Sequence, residues 1–158
     1  MINKILQKKI NIKIVILCGG EGSRLGADTA AIPKPMVKID KDPIIVHIMR
    51  IFKRQGFNDF ILASGYKGQV IKKYFNKNKE FKVKVIDTGL KSLTGTRLKK
   101  LRKYLINEDQ FVVTYGDGVA NINLINLINF HLNHKKEATM TVVRPPVRFG
   151  EVKMRNGT

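Results

Sequence analysis

Acidic residues are scarce in this chain: 12 Asp and Glu stand against 30 Lys and Arg, and the formal net charge is +18. Such an excess first suggests a polyanion-binding face. The lysines, however, are spread over every segment, no run of five or more like charges occurs, and the few aromatics form no stacking pattern. The charge therefore reads as a lysine-rich surface that steers anionic small molecules, with no nucleic-acid partner. Cysteine is nearly missing as well. Cys18 cannot form an internal disulfide, which agrees with a cytoplasmic protein. It closes an apolar segment, where a free cysteine is usually a small buried hydrophobe. Long apolar runs are absent, because lysines and polar residues interrupt each one, and a membrane-spanning helix is excluded. Met1 to Lys13 alternates Lys and Ile and lacks the apolar core and cleavage site of a signal peptide; it reads as a basic lead-in to a first strand.

The two commonest phosphate motifs are missing too. A dinucleotide fingerprint needs a third glycine where Gly20-Glu-Gly22-Ser-Arg-Leu25 has leucine, and no Gly-Lys-Ser/Thr tripeptide of a P-loop occurs. What is there is a different glycine loop. The apolar run Ile12 to Leu17 reads as a buried strand, followed by Gly19, Gly20 and Gly22. Glycines allow close approach of backbone N–H groups to a ligand, and successive N–H groups make a concavity for anions. Arg24 in the loop offers a planar fork for phosphate oxygens, and Lys34, between Pro33 and Pro35, a mobile point charge. Strand, glycine loop, Arg and Lys together suggest a nucleotide triphosphate site; a plain glycine-rich turn is the alternative.

Further along, apolar strands alternate with amphipathic helices. Helices are expected over Ile44–Gln55, capped by Asp42 and ended by Gly56, after the Gly65–Gly68 loop through Phe75, over Thr96–Ile106 and over Asn121–His134. Strands are expected over Phe57–Ser64, Phe81–Asp87, Gln110–Tyr115 and Ala138–Val143, with an extended segment from Phe149 and a hairpin turn at Asn156-Gly157. This alternation predicts an α/β fold: a Rossmann-like, doubly wound, mainly parallel sheet flanked by helices. In such sheets the loops at the carboxyl ends of strands contact ligands. Gly65-Tyr66-Lys67-Gly68 and Gly116-Asp117-Gly118 are two such loops. Asp117 between glycines is an exposed hard oxygen ligand suited to Mg²⁺, with an ordinary turn as the alternative. His131 and His134 have no third ligand nearby in sequence and are not assigned a metal.

Leu17-x-Gly-Gly-x-Gly-Ser-Arg-Leu25 followed by Pro33-Lys-Pro-Met36 resembles the signature of the sugar-1-phosphate nucleotidyltransferases. Gly26-Ala-Asp28, Asp87-Thr-Gly89, Thr94-Gly-x-Arg-Leu98, Thr114-Tyr-Gly-Asp-Gly-Val119 and Pro145-Pro-x-Arg-Phe-Gly150 resemble its glucose-1-phosphate cytidylyltransferase branch. The resemblance implies a fold of the nucleotide-diphospho-sugar transferase type and the reaction of CTP with glucose 1-phosphate to CDP-glucose and pyrophosphate. That reaction feeds nucleotide-sugar and surface polysaccharide biosynthesis. UTP, dTTP or GTP in place of CTP, or a non-catalytic nucleotide-binding fragment, are the alternatives.

By the same resemblance Leu17, Cys18, Gly19, Gly20, Glu21, Gly22, Ser23, Arg24, Lys34, Ser92, Arg97 and Gly116 contact the nucleotide. Arg24, Lys34 and Asp117 are its catalytic residues, and Asp117 is the ligand of Mg²⁺. The family's later Glu-Lys-Pro segment and second metal-binding Asp do not occur. Residues 1–158 are thus expected to be a single nucleotidyltransferase domain ending before the sugar-phosphate half, from a protein that is a homo-oligomer at full length.

Overall fold

The computed structural model describes residues 12–21 and 32–143. The N-terminal lead-in, the loop from Gly22 to Ala31 with Ser23 and Arg24, and everything from Arg144 onward, including the Asn156-Gly157 turn, lie outside the described residues. The chain divides into two compact units, Met1–Leu124 and Ile125–Thr158.

The first unit is built on a parallel sheet. Its strands are β1 (Lys13–Cys18), β4 (Asp59–Ser64), β5 (Lys82–Asp87) and β6 (Phe111–Tyr115), in the spatial order β5-β4-β1-β6. Two short strands, β2 (Lys38–Ile39) and β3 (Asp42–Pro43), pair separately and antiparallel. The central strands are apolar on both faces, as a covered parallel sheet requires. Ile14, Val15, Ile16, Phe60, Ile61 and Leu62 are all buried. Burying each such side chain contributes about 1.5–3 kcal/mol relative to exposure.

Helices cover both faces. On one, Val15, Leu17, Ile61 and Ala63 pack with Leu101 and Leu105, which lie at and after the end of α3 (Thr94–Lys100) and in α4 (Arg102–Leu105). The single helix expected over Thr96–Ile106 is thus two short ones that break at Leu101. On the other face, Phe60 of β4 meets Phe52 of α1 (Ile44–Arg54) edge to face, with ring centroids 6.4 Å apart. Helix α2 (Gly68–Lys77) joins β4 to β5. Gly56, at φ +92°, ends α1 as expected. Asp42 does not cap it. Pro43 occupies the N-cap position without a side-chain bond. Asp42 pairs instead with Arg50, whose fork also holds Glu80 through Nε at 3.0 Å and Nη2 at 2.9 Å.

Strand order fixes where a ligand can sit. From β1 the chain moves outward through β4 and β5, then returns to place β6 on the other side of β1. The strand order thus reverses between β1 and β6, and a ligand crevice is expected at the carboxyl ends of these two strands.

Helix α5 (Leu124–His134) leads into the second unit. The strand expected over Ala138–Val143 is not formed. A strand needs a partner to take up its backbone N–H and C=O groups. Among the described residues none pairs with this segment, and Met140, Val142 and Val143 stand exposed. His131 Nδ1 and His134 Nε2 both bond the hydroxyl of Thr139, at 2.8 and 2.6 Å.

Candidate active site

The exits of β1 and β6 are fastened together. Gly116 N–H donates to Leu17 C=O at 3.0 Å, one residue beyond the last paired residue of β6. A Cβ on Gly116 would stand 3.0 Å from Pro35 Cγ and 3.2 Å from Cys18 Cβ. Glycine here lets the turn close onto Pro35, which is buried in the 3₁₀ turn Lys34–Met36. Lys34 is thereby held beside the β6 exit, and its Nζ lies 2.6 Å from Asp117 Oδ2. Each of these two side chains is about one-third exposed, at 33% and 35%.

Around the pair is a cleft lined by Leu17, Cys18, Gly20, Lys34, Pro35, Thr94, Arg97, Tyr115 and Asp117. Six of these, Leu17, Cys18, Gly20, Lys34, Arg97 and Asp117, were marked by the sequence. Glu21 is exposed just past Gly20. Gly22, Ser23 and Arg24 lie outside the described residues. Tyr115, Thr94 and Pro35 were missed as lining residues. The signal for Tyr115 was its place at the carboxyl end of a strand, and both Thr94 and Pro35 lay inside quoted motifs.

Arg97 does not open its helix; it is the fourth residue of α3, and its guanidinium is buried. Nη1 donates to Thr88 Oγ1 at 2.7 Å, Gly89 C=O at 2.9 Å and Ser64 C=O at 3.2 Å. Nη2 donates to Gly19 C=O at 2.8 Å and Leu90 C=O at 3.2 Å. Ser92 is also engaged within its own loop: its hydroxyl donates to Thr88 C=O at 2.5 Å and accepts from Lys100 Nζ at 3.1 Å. Cys18 is buried beneath the cleft. Burial pushes its thiol up to about 12, against the pull of the nearby Arg97 charge, so it stays a neutral thiol rather than a nucleophile. Among the described residues no group of three or more His, Cys, Asp or Glu could hold a metal ion, and no helix is long and apolar enough to cross a membrane.

A crevice at the carboxyl edge of a parallel sheet, lined by a lysine and a carboxylate paired at 2.6 Å, could take a nucleotide. The model of the family described as nucleotidyl transferase matches residues 13–158. The chain belongs to this nucleotidyl transferase family. It is 40% identical to a glucose-1-phosphate cytidylyltransferase of Salmonella typhimurium over 92% of this chain and 66% of that protein. A probable glucose-1-phosphate cytidylyltransferase of Bacillus subtilis is 37% identical over the same shares. The chain thus spans 66% of the length of these curated relatives. Among solved structures, HddC from Yersinia pseudotuberculosis in complex with GMP-PN superposes with a TM-score of 0.67 at 31% identity, over 77% of this chain and 55% of that one. The family match and this superposition agree with the doubly wound sheet anticipated from strand–helix alternation.

Proposed function

We propose that this chain is the nucleotide-binding part of a sugar-1-phosphate nucleotidyltransferase that joins CTP and glucose 1-phosphate into CDP-glucose and pyrophosphate. The observation that carries the reading is the Lys34–Asp117 pair at the sheet's switch point, in a chain 40% identical to a glucose-1-phosphate cytidylyltransferase. A phosphate oxygen of the sugar phosphate attacks the α-phosphorus of the nucleotide in line. A new P–O bond forms there, the bond from the α-phosphorus to the α–β bridging oxygen breaks, and pyrophosphate leaves with that oxygen and the electron pair. No protein nucleophile takes part; catalysis is positioning and charge stabilisation. Lys34 holds the phosphate chain and neutralises charge that grows on the departing pyrophosphate. Arg24, outside the described residues, is the second cation of this scheme.

Asp117 fits a magnesium site of the kind completed by substrate. Mg²⁺ is commonly held by one or two carboxylates, with waters and phosphate oxygens filling the rest. An exposed carboxylate at a strand exit offers that, and a closed protein cage is not needed. When bound, the ion supplies charge neutralisation at the phosphate oxygens.

The test is calorimetric titration of the purified chain with CTP in Mg²⁺, beside UTP, dTTP, GTP and ATP. Binding selective for CTP is expected. Binding of another nucleotide in preference would move the base assignment, a reading that the GMP-PN complex of HddC favours for GTP. No binding of any nucleotide would overturn the assignment of the cleft.

A further inference from the structure

The buried guanidinium of Arg97 fills a slot that exists because two residues have no side chain. A Cβ on Gly19 would lie 2.1 Å from Arg97 Nη1 and 2.5 Å from Cζ. A Cβ on Gly65 would lie 2.6 Å from Nη1 and 2.8 Å from the carbonyl oxygens of both Gly19 and Gly89. Gly19 is itself buried, whereas Gly20 is exposed with open space on its Cβ side. The first glycine of the loop is therefore matched to Arg97, and of the two described loop glycines the second stands free beside the cleft.

The carbonyls in that slot come from three strand exits: Gly19 after β1, Ser64 at the end of β4, and Gly89 and Leu90 after β5. A buried charge is tolerated only when it is paired or fully hydrogen-bonded. Here a planar fork of donors is met by a ring of carbonyl dipoles, a geometry that a lysine's single ammonium cannot reproduce. Both terminal nitrogens are spent on this ring, so reading a base with them would require the ring to open. The Gly19 carbonyl also accepts from Tyr66 N–H at 3.0 Å. Held by two donors, that carbonyl fixes the plane of the Gly19–Gly20 peptide. In a trans peptide the N–H points opposite to the C=O. Gly20 N–H is thereby turned away from Arg97, at a residue that lines the cleft.

We propose that Arg97 is a positioning residue: through the Gly19 carbonyl it sets the Gly19–Gly20 peptide at the cleft, and so controls affinity for any triphosphate instead of selecting the base. This rests on the nucleotide-binding reading above and names how that site is held.

The experiment compares the wild-type chain with Arg97→Lys and Gly65→Ala for binding of Mg²⁺ with CTP, with UTP, and with inorganic tripolyphosphate, which has phosphates and no base. Circular dichroism verifies the fold. Both variants are expected to lose CTP and tripolyphosphate affinity by the same factor, roughly tenfold for one or two misplaced N–H contacts. The CTP-to-UTP ratio is expected to stay at its wild-type value. Unchanged tripolyphosphate binding with a collapsed CTP-to-UTP ratio would make Arg97 a base reader and overturn the proposal. Unchanged binding of all three would overturn it as well. If neither variant folds, nuclear magnetic resonance of the wild-type chain decides. Cytidine, a base without phosphate, should leave the Arg97 guanidinium signals in place, while tripolyphosphate moves the Gly20 amide; the reverse pattern would sink the idea. A wild-type chain that binds neither nucleotide nor tripolyphosphate would instead refute the nucleotide-binding reading itself.

Discussion

Lys34 Nζ sits 2.6 Å from Asp117 Oδ2, joining a cation and a carboxylate that both line the cleft on which the proposed chemistry depends. Neither partner can serve a ligand fully while it serves the other. A cation approaching Asp117 meets an ammonium already there, and a phosphate that draws Lys34 away releases the carboxylate. Metal and nucleotide binding should therefore help each other. Lys34→Ala is expected to weaken CTP binding tenfold or more while raising the affinity of the chain for Mn²⁺ alone, read by electron paramagnetic resonance. Asp117→Asn should remove the dependence of CTP binding on Mg²⁺. Partly exposed ion pairs contribute about 0–1 kcal/mol, so both variants should melt within a few degrees of wild type.

Gly65→Ala and Arg97→Lys disturb one slot, from its wall and from its occupant. The methyl added at Gly65 overpacks the slot, at a cost of about 1–3 kcal/mol, and lysine at position 97 leaves carbonyls of the slot without donors. Their combined destabilisation in urea titrations should fall short of the sum of the single effects, because residues in contact couple. A strictly additive double variant would separate the glycine from the arginine.

Cys18 offers a probe of the closed sheet. Its thiol is buried and pushed up to about 12, and the thiolate is the reactive form. At pH 8 it should resist a thiol reagent such as iodoacetamide in the native chain and react fully in guanidinium chloride. Rapid labelling of the native chain would show that β1 is accessible.

Arg50 ties the start of its helix to the segment before β5. Hydrogen bonding to Arg50, and then its charge, holds the carboxyls of Asp42 and Glu80 below their ordinary values. A carboxyl whose value is depressed on folding stabilises above its unfolded value and loses that contribution as pH falls through the folded one. Wild type should melt above Arg50→Gln by a constant margin from pH 8 down to pH 5. The margin should close below about pH 4, where carboxyls protonate. A margin that widened in acid would contradict this.

Leu101 fills the break between α3 and α4 and packs on Val15, Leu17, Ile61 and Ala63. Leu101→Ala should cost about 2–5 kcal/mol, measured as a lower urea midpoint.

Much of this molecule was legible in one dimension. Period-two and period-3.6 patterns are set by which side of a strand or helix meets the core, so the strands of the sheet and the helices between them could be read within a few residues. The places of Lys34 and Asp117 could also be read, because both stand beside glycine or proline in segments that lie at strand exits in such a fold, and the structure puts both in the cleft. Three things were not legible. Asp42 had the look of a helix cap, but its carboxylate pairs with Arg50 and leaves the helix N-terminus uncapped. The alternation of Ala138–Val143 has the form of a strand, yet no described strand pairs with it. Gly19 looked like a glycine kept bare for a ligand, and its missing Cβ makes room for the side chain of Arg97, 78 residues away. Local sequence determined the elements and the cleft's chemical groups, because those follow from propensity and burial. Tertiary structure alone decided which of those groups were left free for a ligand, because a hydrogen-bond donor spent on a distant carbonyl looks the same in sequence as one held ready.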